Sequence, residues 1–233
     1  ELYREMAGEL KQEWQAQIAA LSLTSYEQVN QRKGKAYTDY SYPQVMPDGS
    51  VAVIKSGIGN IAEIVLIYPD GKEKKVHTLG PLNESGMFSA TQNKLVWNEF
   101  RYDPRWQVKT YSMIKGMDAR TKRKKTITRK TRYASASLSP DGAKVATVET
   151  NGSYETKLVV VDYSTGDVIK EFTNPSNDFI SMPRWSDDGK FIVALKTSSG
   201  IRSVVRYDYN TGTSEEILTT GSENIGYPVL FQN

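Results

Sequence analysis

The 233-residue chain contains no cysteine. That excludes a disulfide, a thiolate zinc site and a cysteine nucleophile, and is compatible with the cytoplasm or with a cysteine-avoiding periplasmic protein. Histidine is almost as scarce: His77 is the only one. A single histidine cannot supply the ligand set of a zinc peptidase, and neither HExxH nor a G-x-S-x-G elbow occurs. No apolar run approaches the roughly 18–20 residues of a membrane-spanning helix. Charge of one sign is lacking too, with 30 Lys and Arg against 27 Asp and Glu. The net balance carries no general signature of a nucleic-acid or membrane binder.

What is present is repetition. Pro47-Asp48-Gly49 precedes the strand-like Ser50–Ile54; Ser139-Pro140-Asp141-Gly142 precedes Ala143–Val148; Ser186-Asp187-Asp188-Gly189 precedes Lys190–Leu195; Thr91-Gln92-Asn93 precedes Lys94–Trp97. These turns recur at spacings of roughly 44 to 49 residues, near the period of propeller blades. Asp or Asn followed by Gly supplies the positive φ that a tight hairpin needs. A second series runs in phase: Asp162-Tyr163-Ser164-Thr165-Gly166, Asp208-Tyr209-Asn210-Thr211-Gly212, Tyr68-Pro69-Asp70-Gly71 and Asp118-Ala119-Arg120-Thr121, each leading to a strand ending in Thr. Each unit therefore reads as strand A, tight turn, strand B, variable loop, strand C, second turn, strand D. Four antiparallel strands per unit is a propeller blade, and the β-branched alternation opposes helical solenoids of similar period.

The reading is all-β: a β-propeller of four-stranded antiparallel blades behind an N-terminal α-helix. Residues 1–36 are expected to be helix and linker and 37–233 the repeats, with units at about 37–80, 84–130, 131–175 and 176–221 and the start of another at 222–233. Gly226-Tyr227-Pro228-Val229 parallels Tyr42-Pro43-Gln44-Val45 and Met182-Pro183-Arg184-Trp185. About four blades plus the first strand of a fifth would be a fragment of a six-bladed ring, because an open stack leaves two sheet faces uncovered. The alternative is a closed four-bladed ring with the last segment as a closure strand. In residues 2–21, Leu2, Met6, Leu10, Trp14, Ile18 and Leu21 share one helix face, which is expected to pack on the propeller or on a preceding domain.

The Ser-Pro-Asp-Gly turns resemble the repeats of TolB-like, WD40-like (PD40-type) propellers over about residues 37–233. Trp97–Trp106, Arg132–Gly142 and Pro183–Ser186 resemble a group of large Bacteroidetes envelope proteins that contain such a propeller, with departures at Thr91-Gln92-Asn93 and Ala134. The resemblance implies six blades, a periplasmic or cell-envelope location, a neighbouring peptidase-like region and no chemistry in the propeller itself.

The individual candidates are few. His77 reads as an ordinary strand residue. Asp48, Asp141, Asp187 and Asp188 read as turn carboxylates that bond local N–H groups, since a calcium loop needs more oxygen ligands at alternating spacing. The basic run from Arg120 to Arg132 coincides with an outer strand and lacks interleaved aromatics, which favours edge protection over nucleic-acid binding. The loop from Phe100 to Trp106 is longer than a hairpin needs and concentrates Arg101, Tyr102, Arg105 and Trp106, residue types enriched at binding hot spots. It reads either as an interaction surface or as a plug, with Trp106 between blades and Arg105 paired to Asp103 or Glu99. Tyr154, in the equivalent loop of the next unit, would extend the surface. No catalytic residue, metal or cofactor is assigned. The expected function is a non-catalytic interaction or scaffold module with a protein partner. Alternatives are a gating propeller of a hydrolase and a glycan or small-ligand binder.

Overall fold

A computed structural model describes residues 2–21, 25, 27–30, 36–79, 88–106, 108–221 and 224–230. Helix α1 (Leu2–Ala20) comes first, as its spacing predicts, but none of its residues is buried. Its apolar face is solvent-exposed at Leu2, Met6, Leu10, Trp14 and Ile18, so the expected packing on the repeats is not made. No helix is long and apolar enough to cross a membrane among the described residues, a statement that does not extend to β-barrels.

The strands form four antiparallel sheets, each built of four strands consecutive in sequence. The first holds β1 (Thr38–Val45), β2 (Val51–Gly57), β3 (Asn60–Ile67) and β4 (Glu73–Thr78). The second holds β5 (Ser89–Thr91), β6 (Lys94–Tyr102), β7 (Thr110–Asp118) and β8 (Lys124–Thr126). The third holds β9 (Tyr133–Leu138), β10 (Lys144–Thr150), β11 (Thr156–Asp162) and β12 (Val168–Glu171). The fourth holds β13 (Phe179–Trp185), β14 (Phe191–Ser198), β15 (Ile201–Asp208) and β16 (Ser214–Thr219).

Alternation along the middle strands explains how the sheets stack. In the third sheet Val145, Val159 and Val161 face the second sheet, where they meet Val96 and Ile114. Their neighbours Ala146, Val148, Leu158 and Val160 point the other way, onto Ile180, Ile192 and Ala194 of the fourth sheet. Both faces of such strands are apolar because both are covered, which is why they read as continuous Val-rich runs rather than as half-buried alternation. The first and second sheets share a third cluster built on Ile54, Ile64, Leu66, Leu95 and Trp97.

The tight turns behave as their composition demands. The Asp48 carboxylate accepts from the Ser50 N–H at 3.0 Å and the Ser50 hydroxyl at 2.6 Å. Asp141 and Asp188 accept instead from the hydroxyls of Ser139 and Ser186, two residues before them, and from the N–H groups of Ala143 and Lys190, two residues after. A feature that residue types alone do not announce recurs in the first strands. Tyr42, Ser135 and Met182 lie at φ 55°, 58° and 52°, each at a register shift against the second strand. These are β-bulges, which bend the strand and leave backbone groups unpaired. In β9 the freed groups are met from the sheet before: Asn98 accepts from the Ala136 N–H at 2.9 Å and donates to the Tyr133 carbonyl at 3.1 Å. Tyr227, followed by Pro228, carries the same conformation at φ 54°.

Candidate functional site

The long β6–β7 connection is a preformed structure. The Asp103 N–H donates to the Lys109 carbonyl and the Lys109 N–H to the Trp106 carbonyl, both at 2.8 Å. One Asp103 oxygen accepts from the N–H groups of Arg105 and Trp106 at 2.9 and 3.1 Å, and the other accepts from the Tyr111 hydroxyl at 3.1 Å. Those backbone N–H groups hold the Asp103 carboxyl below its ordinary pKa. Strand period places Trp97, Glu99 and Arg101 on one face of β6. Glu99, only 8% exposed, accepts from the Trp97 indole N–H at 3.1 Å and from the Arg101 guanidinium at 3.0 Å.

On this frame Trp106 is 62% exposed and Val108 99%, with Phe100 and Tyr102 also open to solvent. The Arg105 guanidinium lies 5.4 Å from the centre of the Trp106 ring. The plug arrangement is therefore not made. Trp106 does not enter the space between sheets; it is the backbone of Arg105, and not its side chain, that bonds Asp103; and Glu99 is taken by Arg101. Tyr154 lies in the β10–β11 turn, 78% exposed, and its carbonyl accepts from the Asn177 amide at 3.2 Å. No hydrogen bond or ring contact among the described residues joins Tyr154 to Arg101, Tyr102, Arg105 or Trp106. A cavity of about 310 Å³, lined by Phe100, Val108, Lys109, Arg132, Tyr133 and Thr150, lies where the β6–β7 hairpin meets the third sheet.

The other candidates have structural roles. His77 stacks on Trp97 with ring centres 4.5 Å apart, and burial, then the Lys124 charge, lowers its pKa. Among the described residues no three acidic or histidine side chains are grouped to hold a metal ion. Part of the basic run ties sheets together: Lys122 donates to the Lys75 carbonyl at 3.2 Å, and Lys125 to the Ser164 carbonyl at 2.9 Å while lying over the Tyr163 ring. Lys170 does the same one sheet further on, donating to the Tyr209 carbonyl.

A second site was not singled out by the sequence reading. The first strands of all four sheets converge on a cavity of about 810 Å³, whose lining includes Tyr42, Gln44, Ser89, Leu138, Arg184 and Tyr227. Arg184 is 9% exposed, and its Nη1 donates to the Gln44 side-chain oxygen at 3.1 Å and to the Phe88 carbonyl at 3.5 Å. Convergence of four sheets, each through its first strand, on one axis is a radial arrangement. The fold is a β-propeller.

Solved structures share it. TolB from Acinetobacter baumannii matches 78% of this chain with a TM-score of 0.62 and 22% identity. An oligogalacturonate lyase from Vibrio parahaemolyticus matches 82% with a TM-score of 0.59, and a Pyrococcus horikoshii acylaminoacyl peptidase 80% with a TM-score of 0.52, at 15% and 16% identity. The chain spans 44% of that TolB, 55% of the lyase and 33% of the peptidase. At these identities the likeness is one of fold. No protein-family model matches the chain, and no curated protein sequence matches it. In propeller terms Trp106 and Tyr154 occupy the B–C loops of successive blades, and Arg184 stands on the axis.

Proposed function

We propose that this propeller is a non-catalytic protein-interaction or scaffold module of a larger envelope protein. The observation that carries the reading is the β6–β7 hairpin end, where Tyr102, Arg105 and Trp106 are exposed although the loop beneath them is held by Asp103. Rigid, exposed Trp, Tyr and Arg side chains are the anchors on which protein interfaces concentrate their energy. Tyr154 on the next blade extends the surface. The envelope assignment draws support from the resemblance of Trp97–Trp106 and Arg132–Gly142 to envelope proteins and from the fold shared with TolB.

The test is site-specific photo-crosslinking in the cells that produce the protein, with p-benzoylphenylalanine replacing Trp106 or, as control, the exposed Thr213 of the fourth blade. A discrete protein adduct at position 106, absent at 213 and lost in Tyr102→Ala/Arg105→Ala, supports the proposal. No adduct at 106, or the same adduct at both positions, overturns it. The fold shared with the acylaminoacyl peptidase favours, as a second reading, a propeller that gates a hydrolase domain. In that case the position 106 adduct would be intramolecular.

A further inference from the structure

Arg184 is a buried charge with no ion-pair partner among the described residues. Burial lowers the pKa of its guanidinium. A guanidinium offers five N–H donors, yet its acceptors among the described residues, the Gln44 amide oxygen and the Phe88 carbonyl, are both reached by Nη1. Arg184 itself lines the axial cavity. A buried charge of this kind is costly to keep unless an anion completes it.

The rest of the cavity narrows the choice of anion. Tyr42 and Tyr227 meet edge to face with ring centres 5.3 Å apart, and the Tyr227 hydroxyl donates to that of Tyr42 at 3.0 Å. That bond uses one of the two hydroxyl protons and leaves the other to be donated to a ligand. Leu138, Pro140 and Val229 add apolar wall. Among the described residues Arg184 is the only basic lining residue and Asp187 the only acidic one. One cation beside one carboxylate cannot offset a phosphate dianion, whereas the planar fork of an arginine matches a single carboxylate. The volume, about 810 Å³, suits a small-molecule group or a short peptide end.

We infer that the axial cavity is a binding site for a single carboxylate carried on an apolar body, held by the Arg184 guanidinium and the Tyr42 hydroxyl. The inference rests on the axis and stands or falls independently of the loop surface.

The experiment is calorimetry on the purified chain with 3-phenylpropionate, the neutral 3-phenylpropanamide and inorganic phosphate. The expected result is acid binding at least about tenfold tighter than amide binding, with phosphate failing to compete. Arg184→Gln should erase the acid preference. Should that variant not fold, the acid-to-amide ratio on the unaltered chain decides alone. Equal binding of acid and amide, binding of neither, or displacement by phosphate overturns the inference. An N-acetylated apolar pentapeptide, as free acid and as amide, separates the sources. Tighter binding of its free acid than of 3-phenylpropionate assigns the carboxylate to a chain end, and the reverse order to a small organic acid.

Discussion

Replacing Gly166 by alanine tests how the blades are fitted together. Gly166 closes the β11–β12 turn at φ 82°, its N–H bonded to the Asp162 carbonyl at 2.9 Å. A Cβ placed there would lie 2.0 Å from the carbonyl oxygen of Ile127 in the preceding blade. That segment cannot easily retreat, because the Ile127 N–H is itself bonded to the Ile114 carbonyl at 2.8 Å. Gly212 is the internal control. It holds the same place one blade later at φ 79°, but its Cβ would meet nothing nearer than Cε and Nζ of Lys170, each at 3.7 Å. Both substitutions place an alanine in the left-handed region, at about 1 kcal/mol. Only Gly166→Ala also forces backbone or turn to move, at about 1–3 kcal/mol more. Urea unfolding should therefore put Gly212→Ala about 1 kcal/mol below the parent and Gly166→Ala about 2–4 kcal/mol below it, with unchanged m-values. Costs that agree within about 0.5 kcal/mol would refute the claim that the turn of one blade is keyed to the backbone of the last.

Three further outcomes follow from the same turns and strands. Lys122 occupies the corresponding position of the β7–β8 turn at φ 57°, so Lys122→Gly should raise stability by about 0.5 kcal/mol, the relief of strain exceeding the loss of its exposed bond to Lys75; a lowered thermal midpoint would contradict this. Glu99→Ala strands the buried Trp97 indole N–H and removes the partner of the exposed Arg101 guanidinium, and should cost about 1–3 kcal/mol in urea unfolding, whereas Glu99→Gln, which keeps an acceptor, should cost less. Burial raises the Asp141 pKa, but hydrogen bonds from Ser139, Ala143 and Lys144 outweigh it and bring it to about 2 from 3.8. A carboxyl depressed in the folded state contributes stability above its unfolded pKa and loses it as pH falls through the folded one. Asp141→Asn should accordingly be less stable than the parent at pH 7, with the gap closing between about pH 4 and pH 2; a gap constant with pH would show that Asp141 contributes nothing through its charge.

The turns were legible because their chemistry is local: an Asp carboxylate two residues from the N–H it accepts, and a glycine where φ is positive. The strand pattern was legible because sheets buried on both faces need unbroken apolar runs, as at Leu158–Val161. The bulges at Tyr42, Ser135 and Met182 were not, since Tyr, Ser and Met carry no preference for positive φ and a bulge exists only against a partner strand. Lys122 escaped notice for a related reason, standing where the sister turns have glycine. The plug reading of Trp106 failed because strand alternation, which correctly aligns Trp97, Glu99 and Arg101, stops at Tyr102, and the direction of a loop side chain beyond that point is set by the Asp103 hydrogen bonds.

Arg184 shows a deeper limit of reading repeats. Gln44, Ser137 and Arg184 each sit one residue before the pair that closes the turn, opposite Ala52, Ala146 and Val193. A repeat is found by what its units share, here the Asp-Gly turn and the apolar second strand, and the residue just before the closing pair is what they do not share. The fold brings those unlike residues to one axis, where a single base among three units meets the amide of another. Its burial is a property of the assembled blades and not of any one unit. In a propeller the shared positions specify the scaffold, and the axis and the B–C loops are among the places where this chain departs from its own pattern.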